Sequence, residues 1–409
     1  MLPFLRENVR WLAGGLLLTI ASSFGQTFFI ALSAGEIRGA FSLSHGEFGG
    51  IYMLATLASA ATLPFIGRIV DWISVRRTVL IIVPALAAAC VLMAVVPSVI
   101  VLVVAIYGLR LFGQGMMTHT AMTAMGKWYA AERGRAVSIV ALGHQIGEML
   151  LPIAFVSALA LGLAWREVWL ICAALLVVIV LPLGIRLLSV ERVPNGTATG
   201  SETAPRSWTR NEVLRDPAFW VLLTGVLAPA FIGTTVFFHQ VYMIDLRGWS
   251  PLVFASGFTL MGAMTIGAGL ATGVAIDGVG SLRILPFFPV PLAAACFVLG
   301  TLTSETSIFL FFGLLGISYG ISQTLFGALW PEVYGTAHLG AVRSVTVALM
   351  VFATAAGPGL TGALIDFGVD LPTQMVGMAA YCLAVAAVLG FVCRHLLERQ
   401  AVAVQAAAQ

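Results

Sequence analysis

Gly67-Arg-Ile-Val-Asp71-Trp-Ile-Ser-Val-Arg76-Arg77 closes a long apolar run, and Gly273-Val-Ala-Ile-Asp277 closes another about half the chain later. The period returns elsewhere. Tyr129 and Tyr334 end two further runs at nearly the same offset, and Gly108 and Gly115 match Gly313 and Gly320. A constant offset of about half the 409 residues marks an internal duplication.

Outward from those motifs the chain is apolar almost throughout. It is 60% hydrophobic and 10% charged, where soluble domains carry about 25% charge. So few charges cannot cover a water-facing surface, so the chain faces lipid. A helix needs about 20 apolar residues to cross the hydrocarbon core. Such runs predict twelve spans, at about 11–33, 45–66, 78–97, 99–123, 135–161, 167–188, 217–240, 252–276, 283–302, 306–330, 343–365 and 373–394. The first run is too long for the core of a removable signal peptide and is taken as span one. Alternation of the kind found in membrane strands is absent from these runs.

Basic residues orient the spans. With the N-terminus inside, seventeen Arg and Lys residues fall on the cytoplasmic side and only Arg38, Arg166 and Arg247 fall outside. Both termini are therefore expected in the cytoplasm, with the chain in the inner (cytoplasmic) cell membrane. The polar, turn-rich stretch from Pro194 to Pro205 lies between spans six and seven and reads as a linker. The expected organisation is a six-helix bundle over 1–190, a cytoplasmic linker over 191–215 and a second bundle over 216–409. Asn195-Gly-Thr197 fits a glycosylation pattern, but a cytoplasmic loop does not meet that machinery. The five cysteines, Cys90, Cys172, Cys296, Cys382 and Cys393, have no paired or metal-type spacing and are expected as small core residues.

A charge at mid-bilayer costs about 2.5–3.5 kcal/mol or more, so it is functional or paired. Arg110 in span four and Glu148 in span five sit at matching depth on consecutive helices. They are expected either to pair or to serve separately. Arg110 binds a substrate carboxylate by its planar fork, or it is structural, held by Glu148 or nearby backbone. Glu148, with His144 one turn away, is a proton-coupling candidate or half of a static pair. His119 is expected to be a packed histidine.

The segment from Gly67 to Arg77 resembles the loop 2–3 signature of the major facilitator superfamily, and Tyr107-Gly-Leu-Arg110-Leu-Phe-Gly-Gln-Gly115 resembles its span-four motif. A narrower similarity is to monocarboxylate and oxalate/formate transporters. It is carried by Trp128-Tyr-Ala-Ala-Glu-Arg-Gly-Arg-Ala136 running into Gly143 and Gly147, by Asp216-Pro-Ala-Phe-Trp220, and by Gly357-Pro-Gly359 with Gly362 and Asp366. That branch usually holds a cation in span eight, whereas residues 252–276 here carry no charge. The resemblance implies an all-α membrane fold of two pseudo-symmetric six-helix bundles, with spans one, four, seven and ten lining a cavity. Gln26 in the Ser22, Ser23, Gln26 stripe, His239 in the Thr235, Phe238, His239 stripe, and Tyr319 and Gln323 in span ten are then substrate-binding candidates beside Arg110. Each stripe is otherwise polar glue between helices. Gly67 permits close helix approach, Asp71 suits a helix N-terminus, and Arg76 and Arg77 suit charge-assisted ties. The candidate gating set is these four with Asp277 and Arg343; the alternative is topology only, with basic residues kept inside.

No phosphate loop, nucleophile elbow or metal spacing occurs, so neither an enzyme nor a cofactor is expected. Three readings stay open. The first is a secondary transporter of a monocarboxylate-type acid by proton symport or exchange. The second is an exporter of a more apolar metabolite or drug. The third is a receptor-like paralogue; it calls for an added signalling domain, and the short stretch after Gln400 is taken to count against it. A monomer with no nucleic-acid partner is expected in each case.

Overall fold

A computed structural model describes residues 2–129, 133–192, 208–335 and 338–407. The linker core, with Asn195 and Thr197, lies outside them. Among the described residues every regular element is helical, as hydrocarbon requires: a backbone with no water to bond must satisfy itself within each span. Among the described residues eleven helices are long and apolar enough to cross a membrane, and the bent pair Phe4–Gly25 and Thr27–Phe41, taken as one span, makes a twelfth. Large apolar side chains such as Phe65, Ile100, Val178, Leu270 and Phe391 stand exposed along them, the inverse of a water-facing surface. All five cysteines are buried and free.

The chain divides into two compact units. Unit one holds Met1–Gly200 with Phe237–Tyr242 and Pro358–Ala363. Unit two holds Ser201–Val236, Met243–Gly357 and Leu364–Gln409. In unit one Phe29 packs edge-on against Phe155 and Trp169, and the Trp169 indole donates to Ser33 Oγ. In unit two Phe219, Phe288, Trp330 and Tyr334 share a core. Asp216 beside it accepts from the Tyr334 hydroxyl and the Arg399 guanidinium.

The duplication is visible in turn geometry. Ser42 and Gly248, one repeat apart, both have positive φ, at 53° and 65°. Gly162 and Gly368, at the same offset, have φ of 93° and 88°. Ser44 and Ser250 cap the helices His45–Ile66 and Pro251–Val279 with their hydroxyls, satisfying an N–H the helix cannot.

Span one departs from expectation. The run over 11–33 is not one helix. It is an α-helix over Leu2–Ala21, a 3-10 turn over Ser22–Gly25, an extended residue at Gln26, and short helical pieces over Thr27–Ile30, Ala31–Ser33 and Ala34–Phe41. The two parts meet at 45°. Ser22, Ser23 and Gln26 therefore do not share a helical face. Span seven likewise runs over Pro217–Phe238, turns at His239, and resumes over Gln240–Arg247.

Candidate functional site

The break in span one rests on an irregularity in span four. Residues Val99–Trp128 form one span, but Leu109–Met117 within it is π-helical, a geometry that collects at functional sites. Gly25 and Gly113 bring the two backbones together. A Cβ built on Gly25 would lie 2.1 Å from the Leu109 carbonyl oxygen, and one on Gly113 would lie 2.7 Å from Gly25 Cα. Only hydrogen fits at either position.

Unwound backbone inside a membrane needs partners, and Arg110, on the π turn, supplies them. Its Nη1 donates to Gly25 O and to Thr27 Oγ1, each at 3.3 Å. Its guanidinium carbon stands 5.4 Å from the Tyr52 ring centroid, and the Tyr52 hydroxyl is 2.6 Å from Thr27 Oγ1. The side chain is 2% exposed, and its Nε has no hydrogen-bond partner. One edge of the guanidinium fork is thus satisfied and the rest is open.

The expected Arg110–Glu148 ion pair does not form. Neither residue has an ionic partner among the described residues, and Arg110 takes the second of its structural alternatives, neighbouring backbone. Matching depth fixes height along the membrane, not direction around the helix. The wider π turns aim Arg110 at span one instead. Glu148, on the helix Arg133–Ala160, is half-buried and makes no hydrogen bond among the described residues.

Span five is held against span one by glycines. A Cβ on Gly143 would lie 2.0 Å from Thr19 Oγ1, and one on Gly147 would lie 2.0 Å from Ser23 Oγ. His144 between them reaches Ser22 Oγ at 3.2 Å. The Ser22 hydroxyl also lies 2.7 Å from Thr19 O, to which it donates. Gln26, half-buried at the break, has no side-chain hydrogen bond among the described residues.

The remaining expected residues fall elsewhere. His239 is buried, and its Nε2 lies 3.3 Å from Pro358 O and 3.0 Å from Thr361 Oγ1. It belongs to unit one but to a different cluster from Arg110. Tyr319, in unit two, presses its hydroxyl onto Gly233, where a Cβ would meet it at 1.6 Å. Gln323, one turn on, is exposed. Gly67 ends its helix, and its carbonyl is 3.2 Å from His119 Nε2, the packed role expected for that histidine. The side chains of Asp71 and Asp277 lie outside the described part. Arg76 and Arg77 are exposed and make no side-chain bond among the described residues. The loop is tied instead by Lys127, which donates to Val70 O. Arg343 donates to Gly327 O at 2.7 Å.

Sequence reasoning missed Thr27, Tyr52 and Gln240. Gln240 is fully buried. Its Nε2 donates to Phe28 O at 2.8 Å, and its Oε1 has no partner. The one available signal was polarity at Thr27 and Gln240 inside otherwise apolar runs.

Residues 15–358 match the family model described as Major Facilitator Superfamily. The chain is 23% identical over 371 residues to an oxalate:formate antiporter of Oxalobacter formigenes, covering 88% of this chain and 87% of that protein. It is 24% identical over 280 residues to an agnestins efflux protein of Paecilomyces divaricatus, covering 66% and 60%. In fold it is similar to a bacterial homologue of the human lysosomal transporter Spinster, solved inward-facing and unoccupied, with TM-score 0.72, 17% identity and coverage of 96% and 98%. It is also similar to the nucleoside transporter NupG, with TM-score 0.67, 12% identity and coverage of 94% and 99%. Twelve spans, an internal repeat of half the chain and a family match over most of the length converge: the chain is a multi-pass membrane transporter, not an enzyme, and belongs to the major facilitator superfamily.

Proposed function

We propose that this transporter is a secondary carrier of small monocarboxylate-type acids, with Arg110 as the anchor for the substrate carboxylate. The observation that carries the reading is the state of Arg110: a 2%-exposed guanidinium, at the joint of a broken span, whose contacts are a carbonyl, a hydroxyl and a ring face. A buried cation without an anion is costly, and a substrate carboxylate on the open side of the fork supplies the missing charge. Discontinuous helices with unwound backbone are where secondary transporters bind cargo. Gln26, at the same break, offers an uncommitted amide for the rest of the substrate. Glu148, without an ionic partner among the described residues, is the group that exchanges a proton, with His144 as its relay.

In the same reading residues 1–190 and 216–409 are the two bundles of an alternating-access cycle, joined by the linker 191–215. Gly67, Asp71, Arg76, Arg77, Asp277 and Arg343 act at its gates. The protein works as a monomer in the inner membrane with both termini in the cytoplasm. The test is thermal unfolding of the purified protein over a panel of small carboxylic acids. At least one acid is expected to raise the melting temperature of wild type and not of Arg110→Ala. Stabilisation by neutral apolar compounds alone would favour the exporter reading, in which Arg110 only bonds the broken backbone.

A further inference from the structure

Tyr52 and Thr27 bury two hydroxyls inside the membrane. Tyr52 lies on the helix His45–Ile66 and is fully buried, and Thr27, which opens the second piece of span one, is 8% exposed. A buried hydroxyl is costly unless it is bonded, and here the two bond each other, with Tyr52 Oη 2.6 Å from Thr27 Oγ1. Packing alone gives no reason for the pair. Two apolar groups of the same shape, such as Phe and Val, would hold the same helices together about as well. The hydroxyls therefore point to a third group that uses them.

That group is Arg110. Its Nη1 donates to the same Thr27 Oγ1 at 3.3 Å, and its guanidinium carbon stands 5.4 Å from the Tyr52 ring centroid. Whichever of the two hydroxyls donates to the other, Thr27 Oγ1 keeps a lone pair for the guanidinium. Tyr52 so meets Arg110 twice, directly by its ring and through Thr27 by its hydroxyl. The Tyr52 ring is itself held by Phe238, 4.8 Å away, which stacks on Phe48 at 5.0 Å. All of these residues belong to unit one. A guanidinium on a long stem can turn, and the bond to Gly25 O fixes one point of it, not its plane. The second acceptor and the ring face fix the plane, and leave for the substrate the edge that carries Nε, which has no hydrogen-bond partner.

We propose that Tyr52 is a positioning residue of the substrate site: by its ring and through Thr27 it sets the plane of the Arg110 guanidinium, so that substrate affinity depends on the Tyr52 hydroxyl. This rests on the reading of Arg110 as the carboxylate anchor. Planar, two-pronged recognition of a carboxylate by arginine is sensitive to that orientation. The other role for a Tyr–Thr pair is polar glue between spans one and two, which acts on stability and leaves affinity alone.

The test is counterflow in proteoliposomes of the full-length protein. The labelled probe is whichever of formate, acetate, lactate and pyruvate most raises the wild-type melting temperature. Tyr52→Phe is expected to raise the half-saturating concentration about three- to tenfold, the worth of one neutral hydrogen bond. Thr27→Val, which also takes a bond from Arg110, should raise it about ten- to a hundredfold. In the Thr27→Val background Tyr52→Phe should change nothing further, because the oxygen that links the two is gone. An unchanged half-saturating concentration in Tyr52→Phe overturns the proposal, and the Arg110 reading stands if Arg110→Ala still abolishes exchange. An equal effect of Tyr52→Phe with and without the Thr27 hydroxyl overturns it as well. A lower melting temperature of Tyr52→Phe without acid, with affinity kept, makes the pair polar glue and does the same. If none of the four acids stabilises wild type, the carboxylate reading falls first and the role of Tyr52 with it.

Discussion

The two halves keep the same turns and differ inside the membrane. Ser44 and Ser250 cap matching helices, and Gly162 and Gly368 make matching left-handed turns. Yet Arg110 corresponds, one repeat on, to Leu315, a fully buried apolar residue in the unbroken helix Thr306–Tyr334. Glu148 corresponds to Thr354, whose hydroxyl bonds its own helix at Val351 O. The close contacts have moved as well. In the first half glycines seat the broken span one on span four. In the second, Gly316 and Gly320 seat span ten on span eight, where added Cβ atoms would lie 2.4 Å from Met261 O and 2.3 Å from Thr265 O. Duplication preserved the positions where backbone geometry leaves no choice and let the membrane interior diverge. At these two places the first half holds ionisable groups, and the second holds an apolar residue and a self-bonded hydroxyl on regular helices.

The largest effect that separates the halves is a core truncation. Leu315→Ala is expected to cost about 2–5 kcal/mol by opening a cavity, seen as a lower melting temperature in detergent, with the shift produced by a stabilising acid unchanged. Arg110→Ala should cost less, about 1–3 kcal/mol for the stranded Gly25 carbonyl, but should erase the acid-induced shift. If Leu315→Ala loses the shift and Arg110→Ala keeps it, the functional asymmetry is reversed.

Next come the glycine contacts. Gly25→Ala and Gly320→Ala each force backbone apart and should destabilise by about 1–3 kcal/mol or more. Only Gly25→Ala should also weaken the acid response, because it moves the carbonyl that orients Arg110. Equal loss of response in both would show that packing, not position, controls the site.

How far this could be read in the sequence follows the same division. Composition and run length are averages over whole helices, so twelve spans and the repeat were legible, as were buried cysteines and a packed His119. The break at Ser22–Gln26 was not, because a run of apolar residues with Ser, Gly and Gln inside it satisfies a length rule whether or not it unwinds. Arg110 was legible as a buried charge, but its partner was not. Inferring depth from a fixed rise per residue assumes a regular helix, and Leu109–Met117 is not one.

The smallest effect concerns the caps. Ala164 is bonded by the Glu167 carboxylate, and the matching Asp370 accepts from Thr373 N–H. Asp370→Ala should cost about 1 kcal/mol. The bond to Thr373 holds the Asp370 carboxyl below its usual range. Its contribution is therefore present above the normal carboxylate pKa and fades as pH falls through the lower, folded-state value. Melting temperatures of wild type and Asp370→Asn should converge in acid. A constant gap across pH would remove the charge from the cap's role.

The most direct test of Arg110 as the substrate anchor is counterflow of a radiolabelled acid in proteoliposomes, comparing Arg110→Ala, Glu148→Gln and wild type at equal reconstituted amounts. The expected result is that Arg110→Ala exchanges no label above empty vesicles, while Glu148→Gln exchanges label but fails to accumulate it under a pH gradient. Exchange by Arg110→Ala at the wild-type rate would contradict the account and return the guanidinium to a purely structural role at the break in span one.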